Sequence, residues 1–166
     1  MLAAATLVAA AGAIGKAPVR SSLNRYFMKV DAQIHSYRIL LRRFETLYAE
    51  VPHVNVDPFV ENLYRLADRF EGLEARWDEI RATSGLRTRH RGMGRVFGLF
   101  AKSLRIHAAA VFTRHPDEIL AARPNVEARF ESAAYLQQRW AAALQGALIR
   151  AKLRVPGWLH RMAIGR

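Results

Sequence analysis

The sequence predicts a single domain with an all-α fold, and three observations support this. Apolar residues recur at alternating spacings of three and four over several long stretches, which is the pattern of an amphipathic helix. Hydrophobic residues make up 51% of the 166-residue chain, and many of them are alanines, which favour helix. No stretch alternates apolar and polar residues in the manner of a half-buried strand.

Residues 1–30 form the first expected unit. They are rich in alanine and carry Lys16, Arg20, Arg25 and Lys29 without any acidic residue. This composition is typical of a mitochondrial targeting segment. A short buried helix and a membrane span remain as alternatives, although 15 helical residues reach only about 22 Å against a hydrocarbon core of about 30 Å. We expect a targeting or anchoring role for this segment.

A single helical domain is expected over residues 31–153, beginning with an antiparallel helical hairpin. The apolar face of its first helix, which Pro52 ends, consists of Ile34, Tyr37, Leu41, Phe44, Tyr48 and Val51. Asp57 and Pro58 suit the start of the second helix. The apolar face of that helix consists of Phe59, Leu63, Leu66, Phe70, Leu73, Trp77 and Ile80. The short connection between the two predicts antiparallel packing.

The second half of the domain is expected to contain a loop, a third helix and a long C-terminal helix. The Gly and Arg content of residues 83–95, "TSGLRTRHRGMGR", predicts an exposed loop. The buried side of the third helix is expected to consist of Val96, Phe100, Leu104, His107 and Val111. A short helical turn then ends near Pro124, and Asn125 caps a helix that runs to about residue 153. Residues 154–166 are expected to form a basic tail.

The charge of the chain predicts an acidic partner. Twenty-six Lys and Arg against 14 Asp and Glu give a net charge of +12, and most of the basic residues are arginines. Arginine suits bidentate contacts with carboxylates and phosphates, so the partner is expected to be an acidic protein, a nucleic acid or an anionic lipid.

The composition argues against an enzyme or a metal protein. The chain has no cysteine, which excludes disulfides, thiolate metal sites and a cysteine nucleophile. Its six histidines are not at metal-ligand spacing, and its adjacent carboxylates, Asp78–Glu79 and Asp117–Glu118, diverge on a helix. We therefore expect no catalytic residue, no metal and no cofactor of its own.

Two stretches together carry a family resemblance: "SYRILLRRF" at residues 36–44 and "FVENLYRLADRF" at residues 59–70. They resemble the LYR-motif family of small mitochondrial helical proteins. In that comparison Tyr37 and Arg38 match the family's Tyr-Arg, and Ser36 stands where the family has Leu. The remaining matches are Leu40 and Leu41 for the leucine pair, Arg42 for the next basic residue, and Arg65 or Arg69 with Phe70 for the second helix.

The resemblance implies a binding function. Proteins of this family bind the mitochondrial acyl-carrier protein, whose phosphopantetheine-linked acyl chain inserts among their helices, and they serve as subunits or assembly factors. The partner-binding residues that this implies, with the neighbouring Arg43, are Tyr37, Arg38, Leu41, Arg42, Arg43, Arg69 and Phe70. An acidic carrier domain would meet the arginines through charge-assisted pairs. A wet helix face with an ordinary core beneath it remains the alternative.

The predicted loop supplies a second basic candidate, consisting of Arg87, Arg89, Arg91 and Arg95. Basic residues interleaved with glycines suit phosphate contacts on RNA, and also an acidic protein, an anionic lipid or solvent alone.

The expected function is that of a non-catalytic accessory subunit of a mitochondrial respiratory-chain complex, on the matrix side or the inner membrane. Alternatives are an ATP synthase accessory subunit and an RNA-contacting mitochondrial ribosomal protein.

Overall fold

The computed structural model describes residues 5–49 and 56–165, with side chains described from residue 19 onward. The described residues form helices and turns without a strand, which confirms the all-α prediction. A short 3₁₀ turn at Ser84–Leu86 precedes the third helix. The five helices are α1 at Ala5–Ala49, α2 at Val56–Asp78, α3 at Arg87–Phe112, α4 at Pro116–Arg150 and α5 at Gly157–Ala163.

Helix α1 is continuous across the domain boundary that the composition predicts at residue 30. Leu23, Tyr26 and Val30 are buried in the same core as the later helices. The last part of the expected N-terminal segment therefore belongs to the packed domain. The expected anchoring of residues 1–15 to a membrane would involve their side chains, which lie outside the described side chains.

Helices α1 and α2 run antiparallel where they touch, because contacts that advance along α1 retreat along α2. In order along α1, the contacts are Gln33 with Arg76, Tyr37 with Phe70, and Tyr48 with Phe59. The expected connection through Pro52 lies within residues 50–55, outside the described residues. Asp57 lies in the first turn of α2, where its negative charge suits the helix dipole.

The exposed loop that we predicted over residues 83–95 is wrong from residue 87 onward, where helix α3 begins. One of the glycines that suggested a loop, Gly94, instead allows α3 to approach α2 closely. A Cβ added at Gly94 would lie 3.2 Å from Cδ1 of the Trp77 ring on α2. Met93, which follows Gly92, is fully buried. Burial of this face outweighs the low helix propensity of glycine, about 1 kcal/mol per residue.

The break that we predicted near Pro124 is also wrong, because α4 is one helix with Pro124 inside it. Proline removes one backbone hydrogen bond and costs about 3 kcal/mol in a helix interior. Pro124 is exposed, so the carbonyl that loses its partner can be solvated. The buried residues of α4, from Val126 to Leu148, all follow Pro124, so they anchor the longer part of the helix that lies beyond it.

The expected basic tail contains helix α5. Leu159 and Met162 are buried in the core, and Trp158 stacks on Phe27 of α1 with the ring centroids 6.5 Å apart. The segment 154–166 is therefore not a simple tail, because the apolar face of α5 packs onto the core of the domain.

The core is aromatic and draws on all of the first four helices. Trp77 and Trp140 are fully buried, and their ring centroids lie 5.4 Å apart in an edge-to-face arrangement. A second group of rings in mutual contact, towards the other end of the bundle, consists of Tyr37, Phe44, Phe70, Phe97, Phe100 and Phe130. Such pairs contribute about 0.5–1.5 kcal/mol each beyond area burial.

Candidate functional site

Two of the residues that the resemblance implies for partner binding lie in the core. Tyr37 is 1% exposed and Phe70 is fully buried, and their ring centroids are 6.2 Å apart. The Tyr37 hydroxyl donates a 2.6 Å hydrogen bond to Oε1 of Gln137 on α4. Both residues are therefore packing residues of the closed bundle, and a partner would reach them only if the helices separated.

The basic residues of the same stretch lie at the surface. Arg42 and Arg43 are exposed, Arg38 is half-buried, and Leu41 is half-buried at the edge of the core. None of the three guanidinium groups lies within 4 Å of a carboxylate among the described residues. Their charges are therefore available to a partner.

Helices α1 and α2 bring these arginines next to a second pair on α2. One depression of about 360 Å³ is lined by Arg42, Arg43 and Leu47, and an adjoining one of about 270 Å³ is lined by Arg43, Leu47, Arg65 and Arg69. The two depressions share Arg43 and Leu47, so they form one surface. We call this surface, made of Arg42, Arg43, Leu47, Arg65 and Arg69, the arginine groove.

The arginine groove is positively charged with an apolar floor. Among the described residues no carboxylate lines either depression, and of the four arginines only Arg65 is paired there, with Glu61 one turn earlier on α2. Ile39 and Leu66 add apolar surface beside the guanidinium groups. Like charges this close repel one another, and pairs four apart on a helix cost about 0.2–0.5 kcal/mol each. An acidic ligand would relieve that repulsion.

The second basic candidate is an arginine stripe on α3, which we define as Arg87, Arg91 and Arg95. The three residues are four apart and all exposed, so they share one face of the helix, whereas Arg89 is half-buried on another side. None of them pairs with a carboxylate of the described residues. A helix start disfavours positive charge, and the first turn of α3 holds no acidic residue to compensate.

A buried polar network, which the sequence did not reveal, joins four helices. Trp140 Nε1 donates to the Tyr26 hydroxyl at 3.1 Å, and that hydroxyl lies 3.0 Å from His90 Nδ1. Trp77 Nε1 donates to the His90 backbone carbonyl at 2.9 Å, and the Trp77 ring stacks on the imidazole. Since the buried Tyr26 O–H needs an acceptor, we infer that His90 Nδ1 is unprotonated and that Nε2 carries the proton.

Burial sets the protonation states of this network. It lowers the pKa of His90 below its usual value, and the backbone carbonyls of Trp77 and Ile80 and the Asp78 carboxylate offset only part of that effect. Burial also raises the pKa of the Tyr26 hydroxyl, which stays protonated. His107, packed against Tyr48, has its pKa lowered by burial as well. His90 and His107 are therefore neutral at pH 7.

The described residues show neither a metal cluster nor a membrane-length helix. No three His, Asp or Glu side chains within residues 19–49 and 56–165 come together as metal ligands. None of the helices, as far as the structure describes them, combines the length and the apolar character needed to cross a bilayer.

Comparisons of the chain with known protein families, with characterised proteins and with solved structures gave no match. The features of the molecule from which a function can be inferred are therefore its two basic surfaces and its buried network.

Proposed function

We propose that this chain is a non-catalytic binding subunit, and that the arginine groove docks an acidic protein. The observation that carries the proposal is the groove itself: four arginines from two helices surround apolar side chains, and three of them have no carboxylate within 4 Å in the described part of the chain. Interfaces of this kind combine apolar contact with charge complementarity, which speeds encounter and fixes orientation.

The groove suits a folded protein better than a small anion. Its two depressions are open and shallow, and they extend over two turns of α1 and two turns of α2. Ile39 is 37% exposed beside Arg42 and Arg43, which offers an apolar contact to an amphipathic partner. A helix with carboxylates on one side and leucine-type residues beside them would complement both features.

The resemblance to the LYR-motif family makes the mitochondrial acyl-carrier protein the specific candidate. Arg42, which matches the family's basic residue, lines the groove, and so do Arg65 and Arg69, either of which matches the second-helix arginine. On this proposal the chain is an accessory subunit of a mitochondrial respiratory-chain complex. Its location is the matrix side or the inner membrane, and other subunits of the assembly are further partners.

Insertion of an acyl chain would require the core to open. Ile34 and Phe70, on the apolar faces of α1 and α2, are 1% and 0% exposed, and Phe70 stacks on Phe100 with the ring centroids 5.0 Å apart. Docking through the groove does not depend on such opening. The phosphopantetheine-linked chain is therefore proposed as an addition to the charged interface rather than as its basis.

The proposal is tested by co-expression with a mitochondrial acyl-carrier protein followed by native mass spectrometry. We expect a one-to-one complex whose mass includes phosphopantetheine. The double variant Arg42→Glu/Arg43→Glu should reduce the complex at least tenfold, since charge-assisted contacts contribute about 1.5–3 kcal/mol each and 1.4 kcal/mol corresponds to a factor of ten.

The matched control is Arg25→Glu/Lys29→Glu, which makes the same change of charge on exposed residues of the same helix, away from the groove. It should leave the complex unchanged. Equal loss in both double variants would show that only net charge matters, and the groove would then not be the docking site. Absence of any complex, where an established LYR-motif protein binds, would reject the acyl-carrier protein as partner.

A further inference from the structure

A second concave site lies where α2 ends and α3 begins, away from the arginine groove. It is a pocket of about 510 Å³ whose wall includes Arg81, Arg87 and Arg91, together with His90 and Asp78. The three arginines are exposed, and none of them lies within 4 Å of a carboxylate of the described residues. The pocket therefore concentrates positive charge in a concave space, which a solvated helix face does not do.

His90 gives this pocket a feature that a patch of surface arginines lacks. The residue is 6% exposed and lines the pocket. Its Nε2 makes no hydrogen bond of ordinary geometry with the described residues, and the nearby backbone of Trp77 and Ile80 only partly offsets the lowering of its pKa by burial. Because Nδ1 is occupied by the Tyr26 hydroxyl, Nε2 is the nitrogen that carries the proton. A buried donor without an acceptor costs about 1–3 kcal/mol, and native proteins satisfy nearly all such groups with a protein atom, a water or a ligand.

We propose that this pocket binds a phosphate monoester, with Arg81, Arg87 and Arg91 around the phosphoryl oxygens and the His90 Nε2–H donating from the pocket wall. Each guanidinium presents a planar pair of donors that fits two phosphate oxygens. The start of α3 adds the positive end of its dipole. The site is independent of the arginine groove and does not rest on the function proposed for it.

Asp78 allows a test of whether the pocket binds an anion or a cation. Its carboxylate lines the same pocket and opposes an anion. Replacing it by the neutral isostere in Asp78→Asn should therefore tighten phosphate binding by roughly threefold. A site that bound a cation would respond in the opposite direction.

The experiment is an NMR titration of the full chain with inorganic phosphate, which reports on the backbone and on the His90 side-chain nitrogens. We expect saturable shifts at the start of α3 and at His90 Nε2. Arg87→Gln and Arg91→Gln should each weaken binding about tenfold. The matched control is Arg95→Gln, which removes a charge from the same arginine stripe but does not line the pocket, and it should bind like the unmodified chain.

A second arm identifies the source of the phosphate. Vesicles of phosphatidylcholine with phosphatidic acid present a monoester headgroup, whereas vesicles with phosphatidylglycerol present a diester. Preference for phosphatidic acid, lost in Arg87→Gln, would assign the site to a lipid headgroup. Binding of inorganic phosphate without vesicle binding would assign it to a soluble monoester.

Three results would overturn the proposal. One is the absence of binding to both inorganic phosphate and phosphatidic acid vesicles. Another is that Arg95→Gln weakens phosphate binding as much as Arg91→Gln does. The same conclusion would follow if single-stranded polyuridine bound more tightly than phosphate and both variants weakened its binding equally, because either outcome describes a diffuse basic surface. The third is an unchanged His90 Nε2 resonance at phosphate saturation. Arg87→Gln and Arg91→Gln change exposed residues, and circular dichroism verifies that they remain folded.

Discussion

Removal of a single hydroxyl group, in Tyr26→Phe, tests the buried network. Without that oxygen the Trp140 indole N–H loses its acceptor and His90 Nδ1 loses its donor, and both residues are buried, at 0% and 6% exposure. Leaving a buried polar group unsatisfied costs about 1–3 kcal/mol, so the two together lower the free energy of unfolding by about 2–6 kcal/mol. For a chain of this size, that lowers Tm by roughly 4–24 °C.

The measurement is urea unfolding followed by tryptophan fluorescence and by circular dichroism, with equal m-values required for comparison. The matched control is Tyr135→Phe, since Tyr135 is 55% exposed and its hydroxyl accepts only from Arg139. That control should change the free energy of unfolding by less than about 0.5 kcal/mol. If Tyr26→Phe lowered the free energy of unfolding as little as Tyr135→Phe does, the network would not stabilise the fold.

Three further predictions concern the same packed region. Acid should destabilise the protein below pH 6.5: the lowered pKa of His90 means that the unfolded chain takes up the proton first, so stability falls by up to about 1.4 kcal/mol per pH unit. Gly92→Ala should raise the free energy of unfolding by about 0.5–1 kcal/mol through helix propensity, whereas Gly94→Ala should lower it, because its new Cβ would press on the Trp77 ring. Arg105→Gln should cost about 0.5–1 kcal/mol at low salt and less at high salt, since it removes an exposed bridge from α3 to α2.

Thermal unfolding checks all three. A Tm that did not fall between pH 7.5 and pH 5.5 would contradict the assigned neutral state of His90, and His115→Gln, at an exposed histidine, is the control for general acid effects. Equal effects of the two glycine variants would contradict the close approach of α3 to α2. A salt-independent loss in Arg105→Gln would point to packing of the side chain rather than to its charge.

Periodicity predicted the helices and most of the core correctly. The face expected for the second helix is buried without exception, although Ile80 lies two residues beyond the end of α2. Its members are Phe59, Leu63, Leu66, Phe70, Leu73, Trp77 and Ile80. The errors fell where local propensity opposed burial. Gly94 suggests a turn until the Trp77 ring, 17 positions earlier in the chain, is known to lie against it. Pro124 suggests a break, but it lies at an exposed position, where water can replace the backbone hydrogen bond that the helix loses.

The binding residues were less predictable than the fold. The spacing that places Tyr37 and Phe70 on the apolar faces of their helices is the same for a core residue and for an interface residue, and here both lie in the core. Arg42, Arg43 and Arg69 were expected to meet a partner, and the structure brings them together around one groove. The role of His90 could not be predicted, because its neighbours in sequence are arginines and its partner Tyr26 is 64 positions away. The LYR-motif resemblance stays a prediction.

The bond between Tyr26 and Trp140 has a consequence for how the chain folds as it is made. The two residues are 114 positions apart, so at a synthesis rate of about 5–20 residues per second Trp140 is added roughly 6–23 s after Tyr26. During that interval helices α1 and α2 can pair, yet the Tyr26 end of α1 lacks its final anchor. Nascent chains stalled before residue 140 should therefore bind a chaperone through this end of α1, and release should coincide with the emergence of Trp140.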